Sequence, residues 1–392
     1  MEGLGDPRCR LCHEPRVSPF LELRGVPINC SATWRSAAEA RSAPKGDLVL
    51  GFCAGCGMIR NLAFDPAILS YAEGYENSLY ASPTFREFAR ELAERLVERH
   101  DLRGRSLVEI GSGGGEFLRL LCSLGGNRGV GYDPSGAHRD QETPDVRFVA
   151  GVFPEVWSGE PVDFVCCRHV LEHVDDPRAL LACVRRALGT RAGARVYFEV
   201  PDADCVLRGE SMWDLIYPHC SYFAAPALER LFEEEDFRVL RLEAVFGGQF
   251  LALEAAPASG AGPARVSRPG DLAALSRRVE AFATSFRTRV TKWAERLAGA
   301  RRGGRRVALW GAGAKGVTFL NLVPGGDGID AVVDLNPRKQ GTFVPGTGQL
   351  VVAPGALAER PPDEVWILNP LYQCEIESQL RELGVGADVR VV

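Results

Sequence analysis

The alternation of apolar and polar positions changes period several times along the chain, and those changes mark its elements. Phe85, Phe88, Leu92, Leu96 and Val97 recur at helical spacing after Ser82-Pro83, which supply an N-cap and a proline at the first helical position. An apolar strand, Ser106–Ile110, then runs through a glycine-rich turn into an apolar-periodic helix, and a second strand at 128–132 ends at Asp133. Strands follow at 146–150 and 162–167, a helix at 171–188, and a strand at 195–200 that ends at Pro201-Asp202. A helix at 225–235 precedes two strands, 237–242 and 250–254, which form an antiparallel hairpin around Gly247-Gly248. Strands and helices in this order predict an α/β domain.

The pattern breaks at residues 255–270, where Ala, Pro, Gly and Ser mark a linker. Beyond it Leu272, Leu275, Val279, Phe282, Phe286, Val290, Trp293 and Leu297 recur every three or four residues, with Asp271 placed to cap and Gly303-Gly304 to stop a long helix. One apolar face of that length must dock, and the flanking domains are its expected partners. A strand at 306–310 then enters Gly311-Ala-Gly-Ala-Lys-Gly316 and a helix; a second strand, 329–333, ends at Asp334, and a third, 364–368, at Asn369-Pro370. This is formally a dinucleotide fingerprint, and Lys315 suggests a positively charged phosphate seat. A Rossmann-like domain without a cofactor is the equal alternative. The expected domains are residues 1–75, 76–256, a connecting segment 257–304, and 305–392.

Composition narrows the function classes. With 392 residues the chain has room for two or three domains, and a net charge of −5 argues against a nucleic-acid binder. The apolar runs fall short of a membrane span and no leader opens the chain, so a cytoplasmic enzyme acting on a small molecule, as monomer or homodimer, is expected. Without a secretory signal the 12 cysteines are thiols or metal ligands. Cys9-x-x-Cys12 and Cys53-x-x-Cys56 suit a tetrahedral zinc site; a closed set of thiolates leaves no position for water, so the role would be structural. Four unrelated thiols are the alternative, and Cys30 and His13 read as bystanders.

The candidate chemistry lies around the first glycine turn. Glu109-x-Gly111-x-Gly113 sets a carboxylate before the glycines, where a pyrophosphate would be repelled and an amino group welcomed. Asp133 stands where it would accept hydrogen bonds from a ribose diol. The arrangement resembles motif I of class I S-adenosylmethionine (SAM) methyltransferases, with Glu109, Gly111, Gly113, Asp133 and Arg168 as the cofactor set. Arg168-His169-Val170-Leu171-Glu172-His173 follows the next strand, at the carboxyl edge where open α/β sheets bind ligands. His169 is placed to reach the transfer site while Glu172 and His173 anchor a helix start; as a metal pair the two histidines lack a third ligand. In Trp213–Phe223, polar and aromatic residues interleave without period, and His219 between Tyr217 and Tyr222 is equipped as a general base with aromatic walls. Phe64, Tyr71, Tyr75 and Tyr80 around Glu76-Asn77-Ser78 either pack the zinc lobe onto the core or line a lid.

Taken together, the two CxxC pairs, Arg168–His173, the loop ending His219-Cys-Ser-Tyr-Phe223 and Gly311–Gly316 resemble the three-domain sugar C-methyltransferases of antibiotic pathways. The resemblance spans nearly the whole chain. It implies a class I methyltransferase (Rossmann-like) α/β core, an N-terminal zinc-binding lobe and a second, C-terminal Rossmann-like α/β domain. It also implies SAM and structural zinc as cofactors, a nucleotide-linked keto-deoxysugar as acceptor, and His219 as base, with His169, Tyr217 and Tyr222 as proton-relay or enolate-stabilising groups. The chain departs from the family at Pro218, where a glutamate usually precedes the histidine, and the loop is one residue shorter. Methyl transfer to O or N, which needs less base, and a SAM-fold binding protein without chemistry are the alternatives.

Overall fold

The computed structural model describes residues 8–69, 75–136, 142–157, 159, 161–191, 193–209, 212–258 and 269–392; Tyr71 and most of the linker lie outside them. In the N-terminal part β1 (Ser18–Pro27) and β2 (Lys45–Phe52) pair antiparallel. They flank α1 (Ala37–Arg41), which Ser36 caps at the Glu39 N–H. β3 (Ile59–Asn61) extends this sheet.

The middle part opens with α2 (Pro83–Arg99), capped by Ser82 as its sequence predicts. There follow β4 (Ser106–Ile110), α3 (Glu116–Gly125), β5 (Arg128–Asp133), β6 (Val146–Ala150), β7 (Phe164–Arg168), α4 (Pro177–Leu188), β8 (Arg195–Pro201) and α5 (Ala203–Arg208). Next come β9 (Ser221–Tyr222), α6 (Ala225–Glu234), β10 (Phe237–Val245) and β11 (Phe250–Pro257). The 7-stranded sheet has the order β10-β11-β8-β7-β4-β5-β6, parallel except where β11 pairs antiparallel with β8 and β10. Its central strands β4 and β7 are buried along nearly their whole length, as parallel strands covered by helices must be, and are mostly apolar but for the buried charges Glu109 and Arg168. This is the class I methyltransferase sheet. β9 leaves the domain and joins β3, so the stretch just after His219 is a strand of the N-terminal sheet.

One helix differs from expectation. Instead of a continuous helix over 171–188, a 3-10 turn at Leu171–His173 is followed by α4, which Asp176 caps at the Ala179 N–H. Pro177 lacks the N–H a helix interior requires and disfavours helical geometry in the residue before it, so the helix restarts there. His169, at φ 56, is not helical, and His169 and His173 do not share a helix face.

The long helix α7 (Pro269–Arg302) buries Leu275, Val279, Phe282, Phe286 and Leu297 in one core with Leu23 and Leu50 of the N-terminal sheet, Val206 of α5, and Leu309 and Trp366 beyond the helix. The chain ends in β12 (Val307–Trp310), α8 (Ala314–Leu322), β13 (Ala331–Val333), β14 (Val351–Val352), α9 (Ala356–Glu359), β15 (Glu364–Ile367), α10 (Gln373–Glu382) and β16 (Asp388–Val391). These strands form a 5-stranded parallel sheet, order β14-β13-β12-β15-β16, larger than its three legible strands suggest. Lys315 corrects the expectation of a phosphate seat, because its Nζ reaches out of its own domain to Gln249 Oε1 at 2.9 Å and Asp214 Oδ2 at 3.2 Å. No helix among the described residues is long and apolar enough to cross a membrane.

Candidate functional site

The turn from β4 to α3 needs backbone that only glycine adopts cheaply. Gly111 has φ 73, and a Cβ there would stand 2.0 Å from Val170 Cγ2. Gly113 has φ 50, and a Cβ there would enter open space. The Gly113 N–H donates to Asp133 Oδ2 at 2.8 Å, while Asp133 Oδ1 accepts from the Ser135 N–H at 2.9 Å and from the Ser135 hydroxyl. Glu109 is buried, and its Oε2 has no hydrogen-bond partner. Burial pushes its carboxyl up to about 8 against the pull of Arg168. A buried orphan oxygen ordinarily has a missing donor. The open space at Gly113, the unpaired Glu109 oxygen and the acceptor capacity left on Asp133 fit SAM, with its cationic amino group and ribose diol.

Arg168 and His169 converge on a residue that sequence reasoning did not single out. In the register of β7 and β8, Arg168 lies opposite Glu199. Arg168 Nε and Nη2 donate to Glu199 Oε1 at 3.1 and 3.0 Å, and the Tyr197 hydroxyl donates to Oε2 at 2.7 Å. His169 Nε2 lies 3.0 Å from Glu199 Oε1, within ion-pair range though not aligned as a hydrogen bond. Burial alone would raise this carboxyl; Arg168, His169 and Tyr197 hold it down at about 2. The Arg168 guanidinium also lies 4.3 Å from the Phe117 ring centre and 3.5 Å from the Tyr80 hydroxyl. Tyr80, of the aromatic group, thus meets Arg168 at the end of β7. The available signal was a lone charge in the otherwise apolar Val196–Val200 run, since a fully buried carboxylate demands a cation.

The loop from Trp213 to Phe223 is held from both ends. The Tyr222 hydroxyl accepts from the Ile216 N–H at 3.1 Å and donates to the Ile216 carbonyl at 3.0 Å. The Tyr217 hydroxyl accepts from the Asp65 N–H at 2.9 Å, which points it at the N-terminal sheet. His219 is buried, edge-on to His173 at 4.8 Å and to Tyr222 at 5.6 Å between ring centres. Burial, then the neighbouring His173 and His169, push its basicity well below the usual histidine range; burial likewise lowers His173 to about 4 and raises Glu172 to about 8. Burial thus favours the neutral ring, in which one nitrogen keeps a lone pair.

Cys9, Cys12, Cys53 and Cys56 converge, with all four sulfurs within 4.8 Å of one another. Cys9 and Cys56 Sγ are 3.6 Å apart and Cys12 and Cys53 Sγ 3.4 Å. Tetrahedral zinc at ~2.3 Å from each thiolate needs sulfurs roughly 3.8 Å apart. The cluster fits such an ion, and among thiols alone its hydrogen bonds already lower Cys9 while raising Cys53 and Cys56. Bound zinc would supply folding free energy to a small, turn-rich lobe.

Residues 80–242 match the family model of a methyltransferase domain, and residues 273–388 that of a C-methyltransferase C-terminal domain. The C-methyltransferase NovU of Streptomyces niveus is 29% identical over 311 residues, covering 75% of this chain and 73% of NovU. Among solved structures, magnesium protoporphyrin IX methyltransferase of Synechocystis PCC 6803, with bound SAH, is 18% identical, covers 44% of this chain and 83% of that chain, and has a TM-score of 0.35. The 1,6-didemethyltoxoflavin-N1-methyltransferase of Burkholderia thailandensis is 21% identical over 45% of this chain and 82% of that chain, also with a TM-score of 0.35.

Proposed function

This chain belongs to the multi-domain SAM-dependent C-methyltransferases, and from that premise we propose that it methylates a carbon beside a carbonyl in a nucleotide-linked keto-deoxysugar or a related natural-product intermediate. The observation that carries this reading is the placement of His219: buried, and edge-on both to Tyr222 and to His173 in the turn that follows β7. A C–H bond next to a carbonyl is weakly acidic, so a base must take its proton as the enolate forms. His219 takes that proton. SAM, when bound, supplies a methyl group already activated by its sulfonium, so holding donor and acceptor together accounts for much of the acceleration.

Glu109 pairs with the amino group of SAM and Asp133 with its ribose, while the glycines let the backbone approach. Arg168 and Glu199 fix the floor of the site and hold His169 at the edge of β7, where it orients the acceptor or relays the proton. Tyr222 walls His219, and Tyr217 anchors the loop to the N-terminal sheet. The cysteine cluster holds structural zinc. Pro218 favours a second reading, methyl transfer to O or N, because the glutamate that would steady a protonated His219 is absent from that position. NMR of the methylated product, formed from a panel of nucleotide-linked keto-deoxysugars, decides between the two. A new C–CH3 signal with loss of the α-proton is expected, and an O- or N-methyl signal would replace this reading with the second. His219→Asn should lower turnover about a hundredfold or more, the range of a lost general base.

A further inference from the structure

The turn after β7 and the Trp213–Phe223 loop bring together a second set of donor atoms, apart from the cysteines. Glu172, His173 and His219 each offer one ligand atom, and these atoms lie within 4.8 Å of one another. Glu172 and His219 are 2% and 7% exposed, so water does not readily satisfy them. The Glu172 Oε2 is buried without a hydrogen-bond partner, which carries a free-energy cost that a cation would offset. His173 Nδ1 lies 3.1 Å from the Pro218 carbonyl, which can only accept; the ring proton is therefore on Nδ1 and Nε2 keeps its lone pair. A backbone carbonyl behind one imidazole nitrogen is the usual support of a metal-ligating histidine. The Cys220 thiol donates to the Glu172 carbonyl at 3.3 Å, a further tie of the loop to the turn.

We infer that Glu172, His173 and His219 form a second metal site, which takes a divalent transition cation of the zinc class on one carboxylate oxygen and two imidazole nitrogens. Such a cation sits ~2.0–2.2 Å from each ligand, so tetrahedral donors stand about 3.4 Å apart. Binding therefore draws the donors inward from the 4.8 Å within which they now lie. The donors are nitrogen and oxygen without sulfur, which distinguishes this site chemically from the cysteine cluster. Three protein ligands leave at least one coordination position open. Resting on the reading of His219 as base, a further consequence follows: a cation on its lone pair prevents it from accepting a proton, so occupancy switches off the base-dependent step.

Cobalt(II) titration of the full chain, with zinc already in the cysteine cluster, tests the site. A second equivalent is expected to bind with visible d–d absorption and no near-ultraviolet thiolate charge-transfer band. Glu172→Gln removes a ligand and should weaken it by at least as much as the roughly 10–100-fold that loss of an outer partner costs. SAM affinity by calorimetry confirms that the variant is folded, and His173→Gln gives an independent second variant. Absence of a second equivalent in the wild type, thiolate bands from it, or binding unchanged in a folded variant would overturn the site. The spectroscopic readout does not depend on the base assignment. If cobalt binds as described but leaves turnover unaffected, the site stands and His219 is not the base.

Discussion

Glu109 ties protonation to ligand binding. Its carboxyl, ordinarily at 4.5, is pushed by burial to about 8 in the unliganded protein, so at pH 7 it is mostly neutral. A cationic amino group placed against it favours the carboxylate, and the proton must leave as that contact forms. We predict that SAM binding at pH 7 releases close to one proton per chain, read by calorimetry in buffers of different ionisation enthalpy, and that affinity rises with pH up to about 8. Glu109→Gln should abolish the release. The sign for stability is opposite: a folded value above the unfolded one means that unliganded stability is greatest below 4.5 and is lost as pH rises through about 8. A proton uptake, or none, would remove Glu109 from the amino-group contact.

The β4–α3 turn makes the corresponding prediction at the scale of an element. Valine at Gly113 would force a β-branched residue to φ 50 and put its side chain into the open space beside the loop. Gly113→Val should cost more than about tenfold in SAM affinity, a change of ~1.4 kcal/mol, while the circular dichroism of the sheet is retained. Unchanged affinity would show that the cofactor seat lies elsewhere. This turn was legible because its signals are local: an apolar strand, glycines, a periodic helix and an acid at the end of the next strand. Glu199 was not, because its meaning depends on β7 and β8 lying side by side with Arg168 opposite it. The apolar period over 171–188 predicts one helix, but at Pro177 a local breaker outweighs that period and the helix begins there. The union of Glu172 and His173 with His219 depends on a loop that folds back from after β8, and no spacing along the chain encodes it.

At the scale of the whole molecule, one sheet connects the cysteine cluster with the loop that carries His219. β3 follows Cys53-x-x-Cys56 and pairs with β9, which begins two residues after His219. The N-terminal sheet, α7 and the C-terminal sheet share one core, and Glu76 accepts from Asn336 Nδ2 at 2.9 Å and Arg338 Nη1 at 3.2 Å across the molecule. Cys53→Ser is predicted to lose one zinc per chain by metal analysis and to speed hydrogen exchange in residues 212–223, with the SAM loop much less affected. Protection unchanged in the metal-free protein would uncouple the lobe from the loop. The central claim is that this assembly removes a proton from carbon. Its most direct test incubates the wild-type enzyme and His219→Asn with a nucleotide-linked keto-deoxysugar in D2O without SAM and follows the α-position by NMR. Deuterium should wash in with the wild type and not with the variant; methylation that proceeds at full rate in His219→Asn, with no wash-in by either enzyme, would contradict the account.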